Sequence, residues 1–291
     1  MNDTIFVLGA TGVQGAKISD VLIENGNRVI TISSESSKNT NEKTNVEIIT
    51  GSLEDKKSLT KALKGVTKAV YTFPLIFDME KAVSYTNNFI TVAKEASVEL
   101  IVFNTSFHLP ISDTGFLSLD IKRKISNLFS ESGLNVITLM PDIYMDNLIA
   151  PWMKPLIMND GIIPYPIAEE QKVPWISQYD LGKAVCKVLD IPSLSGKILP
   201  IGENIYTGKE IAQEISREIQ KEVNFIALTP DEFEDNLVEG FGSLAAREIS
   251  NLYRYVKENK SELYSKDFQK TNQLLELKPE SIKDFITAID W

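Results

Sequence analysis

Three glycines recur at intervals of three residues near the start of the chain, at Gly9, Gly12 and Gly15. An apolar run, residues 4–8, precedes them, and an amphipathic segment, residues 14–25, follows them. Between a strand and a helix, the first glycine of such a run permits a tight turn and the second lets backbone approach a pyrophosphate. The third lets the helix pack closely on the strand, and the amides at the helix start stabilise phosphate oxygens. The pattern predicts a dinucleotide site, and a structural glycine turn without a ligand is the alternative.

Short apolar runs alternate with longer amphipathic segments over the first 140 residues. Continuous apolar runs are typical of strands buried on both faces of a parallel sheet, and their alternation with helices indicates βαβ units. The sequence therefore predicts the α/β class, with a Rossmann-type doubly wound parallel sheet. The predicted strands are residues 4–8, 28–33, 46–50, 69–73, 100–104 and 136–140, and the predicted helices are residues 14–25, 56–63, 80–96 and 117–132.

The pattern changes downstream of the sixth predicted strand. Five prolines interrupt residues 150–175, whereas residues 178–189 have a helical pattern and residues 197–201 a strand pattern. Thr207 and Thr229 each precede a glutamate by three residues, which is the capping-box pattern of a helix start. We expect a Rossmann core over residues 1–150, completed by about residues 176–202, and a smaller helix-rich lobe over residues 151–291.

Composition narrows the functional classes. The formal net charge is −10, which argues against sequence-independent nucleic-acid binding, since that needs clustered Lys and Arg. No apolar run approaches the roughly 20 residues that a membrane-spanning helix needs. The first residues lack the basic stretch of a secretory signal, and the one cysteine, Cys186, cannot form an internal disulfide. We therefore expect a cytoplasmic protein without a membrane span.

The choice between NAD and NADP depends on the tip of the second strand. A carboxylate there holds the ribose 2′-hydroxyl of NAD, and Glu35 lies about 20 residues after the glycine run, as that role requires. Ser33 and Ser34, with Lys38 or Lys43, offer instead a set that binds the 2′-phosphate of NADP. A solvated loop is the third interpretation, and the sequence leaves all three open.

Several stretches resemble one family. The Gly-Ala-Thr-Gly-x-Gln-Gly form of the glycine run is similar to that of the NmrA-like proteins, atypical members of the short-chain dehydrogenase/reductase superfamily. Residues 51–55, 140–147, 173–182 and 277–286 resemble further stretches of the same family, in the same order. The resemblance covers nearly the whole chain. It implies a Rossmann core that usually binds NADP(H), and a C-terminal lobe that forms the substrate cleft.

The resemblance also implies cofactor contacts at two further strand ends. Ser52 and Leu53 would lie near the adenine, and the stretch Thr72, Phe73 and Pro74 near the ribose and nicotinamide. This chain departs from the family where Ser34 replaces an arginine common among NADP binders, and where Met140 replaces an arginine. NADP stays slightly favoured over NAD. The expected cofactor contacts are Gly9, Thr11, Gly12, Val13, Gln14, Gly15, Ser33, Ser34, Lys38, Ser52, Leu53, Thr72, Phe73, Pro74, Asn104, Thr105 and Lys122.

The catalytic pattern of a typical short-chain dehydrogenase is missing from the helix that is expected to carry it. That pattern places a tyrosine four residues before a lysine, but here Ser118 stands four residues before Lys122. Lys122 matches the lysine that isoflavone-reductase-like and NmrA-like relatives keep, where it holds the nicotinamide ribose or donates a proton. The alternative is a solvated helix face, because Arg123 and Lys124 follow it directly.

Polar residues follow the fifth predicted strand, at the edge where open α/β sheets bind ligands. Asn104, Thr105 and Ser106 are interpreted either as cofactor contacts or as loop-forming residues. His108, the only histidine, is a candidate proton donor or an incidental loop residue. Phe107, Tyr144 and Trp152, with Trp175, are interpreted either as an apolar pocket for a flat substrate or as core.

Two functions of different classes fit these residues. The first is an NAD(P)H-dependent reductase of a small electron-poor acceptor such as a quinone, for which solvent is the ultimate proton source. The second is a non-catalytic sensor that binds the dinucleotide and acts through a protein partner. The sequence holds no metal-ligand spacing and no nucleophile elbow.

Overall fold

The computed structural model describes residues 3–34, 46–202, 204–259, 263 and 265–291. The chain forms two compact units. The first unit comprises Met1–Pro141 and Leu181–Pro200, and the second comprises Asp142–Asp180 and Ile201–Trp291. Of the residues considered for the tip of the second strand, Glu35, Lys38 and Lys43 lie outside the described residues.

A seven-stranded sheet forms the centre of the first unit. Its strands are β1 (Thr4–Val7), β2 (Arg28–Ser33), β3 (Val46–Thr50), β4 (Lys68–Thr72), β5 (Leu100–Asn104), β6 (Val136–Pro141) and β10 (Ile198–Ile201). They lie in the order β10-β6-β5-β4-β1-β2-β3. The pairs from β3 across to β6 are all parallel, so these strands have the doubly wound order 3-2-1-4-5-6. The predicted fold class is confirmed, and every predicted strand is present to within one residue at each end.

The sheet is buried because its strands are apolar on both faces. All five residues of β5 are buried, as are Ile5, Phe6 and Val7 of β1. Tyr71 lies among aromatic rings, 4.8 Å from Phe89 and 5.1 Å from Phe129 between ring centroids. The helices of this unit are α1 (Val13–Glu24), α2 (Lys56–Ala62), α3 (Met79–Glu95) and α4 (Leu117–Glu131), and α5 (Gln178–Leu189) begins just before the second segment of the unit.

The tenth strand returns to the first unit from a distant part of the chain. It lies beside β6 at one edge of the sheet, where the backbone N–H of Thr138 donates to the carbonyl of Lys197 at 2.9 Å. Residues 142–180, which belong to the second unit, separate β6 from this return in sequence. The predicted strand over residues 197–201 is confirmed and completes the sheet.

Within its described residues, the second unit combines two small sheets with five α-helices. The sheets are β11-β9-β7 and β12-β8, and no described helix is long and apolar enough to cross a membrane. The capping boxes predicted at Thr207 and Thr229 are confirmed, and a third begins at Ser281. The strands are β7 (Ile143–Tyr144), β8 (Ile162–Tyr165), β9 (Val173–Ile176), β11 (Asn204–Tyr206) and β12 (Asn224–Ala227), and the helices are α6 (Gly208–Ile219), α7 (Pro230–Phe241), α8 (Ser243–Glu258), α9 (Phe268–Leu275) and α10 (Ile282–Thr287).

Buried polar contacts hold the second unit together. The hydroxyls of Tyr165 and Tyr253 lie 2.6 Å apart, and burial raises the pKa of Tyr165 to about 12. The Nζ of Lys266 lies 2.6 Å from a carboxylate oxygen of Asp142, and both side chains are almost fully buried. Desolvation raises the pKa of Asp142, while the ammonium of Lys266 opposes this shift. Because each buried charge depends on its partner, this ion pair ties Asp142, the first residue of the second unit, to the segment that precedes α9.

Candidate cofactor and active site

The glycine run forms a tight turn between β1 and α1, as its sequence predicts. Gly9 adopts a φ of +76°, and its carbonyl accepts from the N–H of Gly12 at 2.8 Å. A Cβ placed on Gly15 would lie 2.0 Å from that same carbonyl oxygen. Gly15 is therefore required for the close approach of the helix to the strand, which is the role expected of the third glycine.

The start of α1 is built from backbone. Gly12 is its N-cap and makes no side-chain cap bond, and the first turn carries no acidic residue. The first N–H groups of a helix have no acceptor within it, and the helix dipole makes this end positive. A Cβ on Gly12 would meet only the oxygen of Gly9, at 3.3 Å, so the outer side of the turn is open. A diphosphate fits this combination of exposed amides, positive potential and open space.

Asn104 connects three of the predicted cofactor contacts. It ends β5 and is 1% exposed. Its Nδ2 donates to Oε1 of Gln14 at 2.9 Å and to Oγ1 of Thr72 at 3.2 Å. Its Oδ1 accepts from the N–H of Ser106, which has a φ of +59°, at 3.0 Å. Asn104 thus joins the carboxyl ends of β4 and β5 to the first turn of α1, around the switch point of the sheet.

The other predicted contacts at the strand ends divide into buried and exposed residues. Thr105 is buried, and its hydroxyl lies 3.1 Å from the carbonyl oxygen of Leu139. Leu53 is buried in the core beneath the sheet edge, whereas Ser52 before it is exposed. Ser34 at the end of β2 and Pro74 after β4 are exposed as well. Their contacts with a cofactor remain predictions.

Lys122 differs from the other basic residues of its helix. It is half-buried, and desolvation alone lowers the pKa of its ammonium to about 8. Among the described residues, no carboxylate pairs with it. Arg123 instead binds Asp113 at 2.9 Å, and Lys124 is exposed. The interpretation as a solvated helix face fits Lys124 but not Lys122, which can exchange a proton near neutral pH.

The candidate proton donor and the residues of the expected aromatic pocket are distributed over both units. His108 and Phe107 are buried in the first unit, where His108 has interactions within the protein. Tyr144 is buried in the second unit, and Trp152 packs against Phe233 with ring centroids 6.4 Å apart. The expected aromatic pocket therefore remains a prediction. No group of three His, Cys, Asp or Glu side chains in the described part of the chain could hold a metal ion.

Comparison with known proteins gives a consistent result. A family model described as the NmrA-like family matches residues 1–286. Prestalk A differentiation protein A of Dictyostelium discoideum is 27% identical, over 77% of this chain and 70% of that protein. The NAD(P)H azoreductase of Xenophilus azovorans is 25% identical, over 77% of each chain. An NADPH-dependent quinone oxidoreductase from Escherichia coli, solved with NADPH, has the same fold, with a TM-score of 0.76, 19% identity and coverage of 97% of this chain and 98% of that chain.

Proposed function

The chain belongs to the NmrA-like family, and from this membership we propose that it is an NAD(P)H-dependent reductase of small electron-poor acceptors such as quinones. The observation that carries the proposal is the backbone turn at Gly9–Gly15, whose amides and open outer side suit a diphosphate. Two relatives named for NAD(P)H- or NADPH-dependent reduction, an azoreductase and a quinone oxidoreductase, support the same class of reaction.

Each part of the site has a task in this reaction. When bound, a reduced nicotinamide supplies a hydride. The amides at the start of α1 bind the diphosphate, and the side chains at the ends of β4 and β5 hold the sugar and nicotinamide half. Lys122 lies in the second turn of α4, and its pKa of about 8 lets it hold a proton at neutral pH. Its task is to bind the nicotinamide ribose or to pass the proton on.

A quinone suits a site that lacks the tyrosine of a typical short-chain dehydrogenase. Its reduction to a hydroquinone takes one hydride and one proton. The aromatic ring that forms stabilises the negative charge until the proton arrives. Water or Lys122 can supply that proton, so no phenol is needed at the reacting oxygen. Reduction of a ketone or aldehyde places more demand on an oriented acid, because an alkoxide develops in the transition state. We therefore expect quinones to be better acceptors than aldehydes.

The first test is a fluorescence titration of the protein with NADPH and with NADH. We expect saturable binding, with NADPH the tighter ligand, because the family resemblance favours NADP and serine hydroxyls such as those of Ser33 and Ser34 can donate to a 2′-phosphate. Tighter binding of NADH would show that NAD is the preferred cofactor. It would indicate that a carboxylate binds the ribose 2′-hydroxyl. If neither nucleotide binds, the proposed function is wrong.

The second test measures oxidation of the preferred nucleotide with a quinone, an azo dye and an aldehyde. Turnover with the quinone or the dye, and weaker turnover with the aldehyde, is the expected result. Tight nucleotide binding without turnover on any acceptor would contradict the reductase. It would favour the other candidate, a dinucleotide sensor acting through a protein partner, which the absence of a tyrosine four residues before Lys122 permits.

A further inference from the structure

The orientation of the Asn104 side chain is fixed by its backbone neighbour. The N–H of Ser106 can only donate, so the group that faces it at 3.0 Å must be the carbonyl oxygen of the Asn104 amide. The amide nitrogen of Asn104 then faces the opposite way and carries two hydrogens. These hydrogens reach Oε1 of Gln14, at 2.9 Å, and Oγ1 of Thr72, at 3.2 Å.

This orientation determines what the two neighbours can offer to a ligand. The side-chain amide of Gln14 turns its oxygen toward Asn104 as the acceptor, so its NH2 group faces away from Asn104 and can only donate. The hydroxyl of Thr72 accepts from Asn104, so its own hydrogen is the part left to donate. Glutamine and threonine can each donate or accept in general, but beside Asn104 both become donors.

We infer that Asn104 is a positioning residue that sets the hydrogen-bond polarity of the cofactor site, by turning Gln14 and Thr72 into donors aimed at acceptor oxygens of the bound dinucleotide. The inference rests on the proposed function. Asn104 is too buried to serve a ligand well itself, whereas Gln14 and Thr72 are half-buried. The ligand atoms that match two neutral donors are phosphate, ribose and carboxamide oxygens, all of which a nicotinamide dinucleotide presents.

The isosteric substitution Asn104→Asp tests this inference directly. A carboxylate can still accept from Ser106, but it can only accept from Gln14 and Thr72. Both neighbours must then turn their hydrogens toward residue 104 and present oxygens to the ligand. At pH 8 we expect the dissociation constant for NADPH to rise at least tenfold, on the order of the cost of one unpaired buried polar group. As the pH falls and the buried carboxyl is protonated, it can donate again, so affinity should recover toward that of the wild type.

Asn104→Ala is the matched control for loss of structure alone. It removes all three bonds without reversing any of them, so its weakening of NADPH binding should not depend on pH. Equal weakening by the two variants at every pH would overturn the polarity argument and leave Asn104 a purely structural residue. Asn104→Asp binding as tightly as wild type at pH 8 would overturn the inference while the proposed function stands. Wild-type protein that binds neither nucleotide would instead overturn the proposed function.

A second pair of variants tests the inference without altering the buried position. Thr72→Ser keeps the hydroxyl that Asn104 orients, and Thr72→Val replaces it with a methyl group of similar volume. We expect NADPH to bind at least threefold more weakly to Thr72→Val than to Thr72→Ser. Thermal unfolding of both variants without nucleotide gives the reference for folding. Equal affinity of the two variants would show that Thr72 donates nothing to the ligand, and the inference would be wrong.

Discussion

Replacing Gly15 with alanine is expected to abolish nucleotide binding and to destabilise the first unit by roughly 3 kcal/mol or more. The new Cβ would lie 2.0 Å from the oxygen and 2.5 Å from the carbon of the Gly9 carbonyl, and 2.9 Å from the nitrogen of Ala10. All three atoms belong to the backbone, so no change of rotamer relieves the clash. Helix α1 must move away from β1, which exposes the buried face that carries Ile18 and Leu22.

Two other glycines provide controls for this prediction. Gly12→Ala places its Cβ 3.3 Å from one oxygen in an exposed turn, so urea unfolding should change little while NADPH binding weakens. Gly240→Ala meets no atom within 4 Å, in a helix that lies in the second unit, and should leave the protein as stable or slightly more stable. A Gly15→Ala protein with the urea midpoint of wild type would show that the helix does not depend on this close approach.

Replacing Lys122 with methionine is expected to stabilise the protein while it lowers turnover. The pKa of this lysine falls from 10.5 to about 8 because burial disfavours the charged form. Below pH 8 the folded protein therefore carries a poorly solvated cation, which methionine removes. We expect the free energy of unfolding at pH 7 to rise by roughly 1 to 3 kcal/mol. This gain should shrink as the pH rises from 8 to 10.5, since the folded wild type then loses its proton while the unfolded chain keeps it.

The activity of the same variant distinguishes a functional lysine from a packing defect. If Lys122 binds the ribose or passes a proton, quinone turnover should fall about 100-fold in Lys122→Met. Turnover of wild type should decline above pH 8, where the ammonium loses its proton. Lys124→Met, an exposed change two residues away in the same helix, should alter neither stability nor turnover. A Lys122→Met enzyme with full turnover would exclude any role for this side chain in the reaction.

Local sequence patterns predicted most of the fold. The strands Arg28–Ser33, Val46–Thr50 and Leu100–Asn104 have the predicted bounds, because short apolar runs between turns leave little freedom in where a buried strand begins. The capping boxes at Thr207 and Thr229 were predicted for a similar reason, since four consecutive residues determine each one. Features that depend on only a few consecutive residues can therefore be predicted from the sequence alone.

Local sequence patterns could not predict contacts between residues that are far apart in the chain. The sequence predicted Gln14 and Asn104 as separate cofactor contacts, but these residues are 90 positions apart and their mutual hydrogen bond has no local signal. The buried pair of Asp142 and Lys266 is separated by 124 positions and was likewise not predicted. Leu53 was assigned to the adenine pocket by resemblance, and its burial in the core depends on packing that no motif encodes.

The return of β10 to the edge of the main sheet has a consequence for how this protein can be divided. A fragment that stops after β6 would lose the strand that covers this edge, although it would keep the whole glycine turn. Its uncovered β6 would expose unpaired backbone groups beside apolar side chains, which is a template for aggregation. We therefore expect that a single cut near residue 150 does not yield a well-behaved first unit. Any shortened version must join residues 1–141 to the segment that includes Ile198–Ile201 through a new linker.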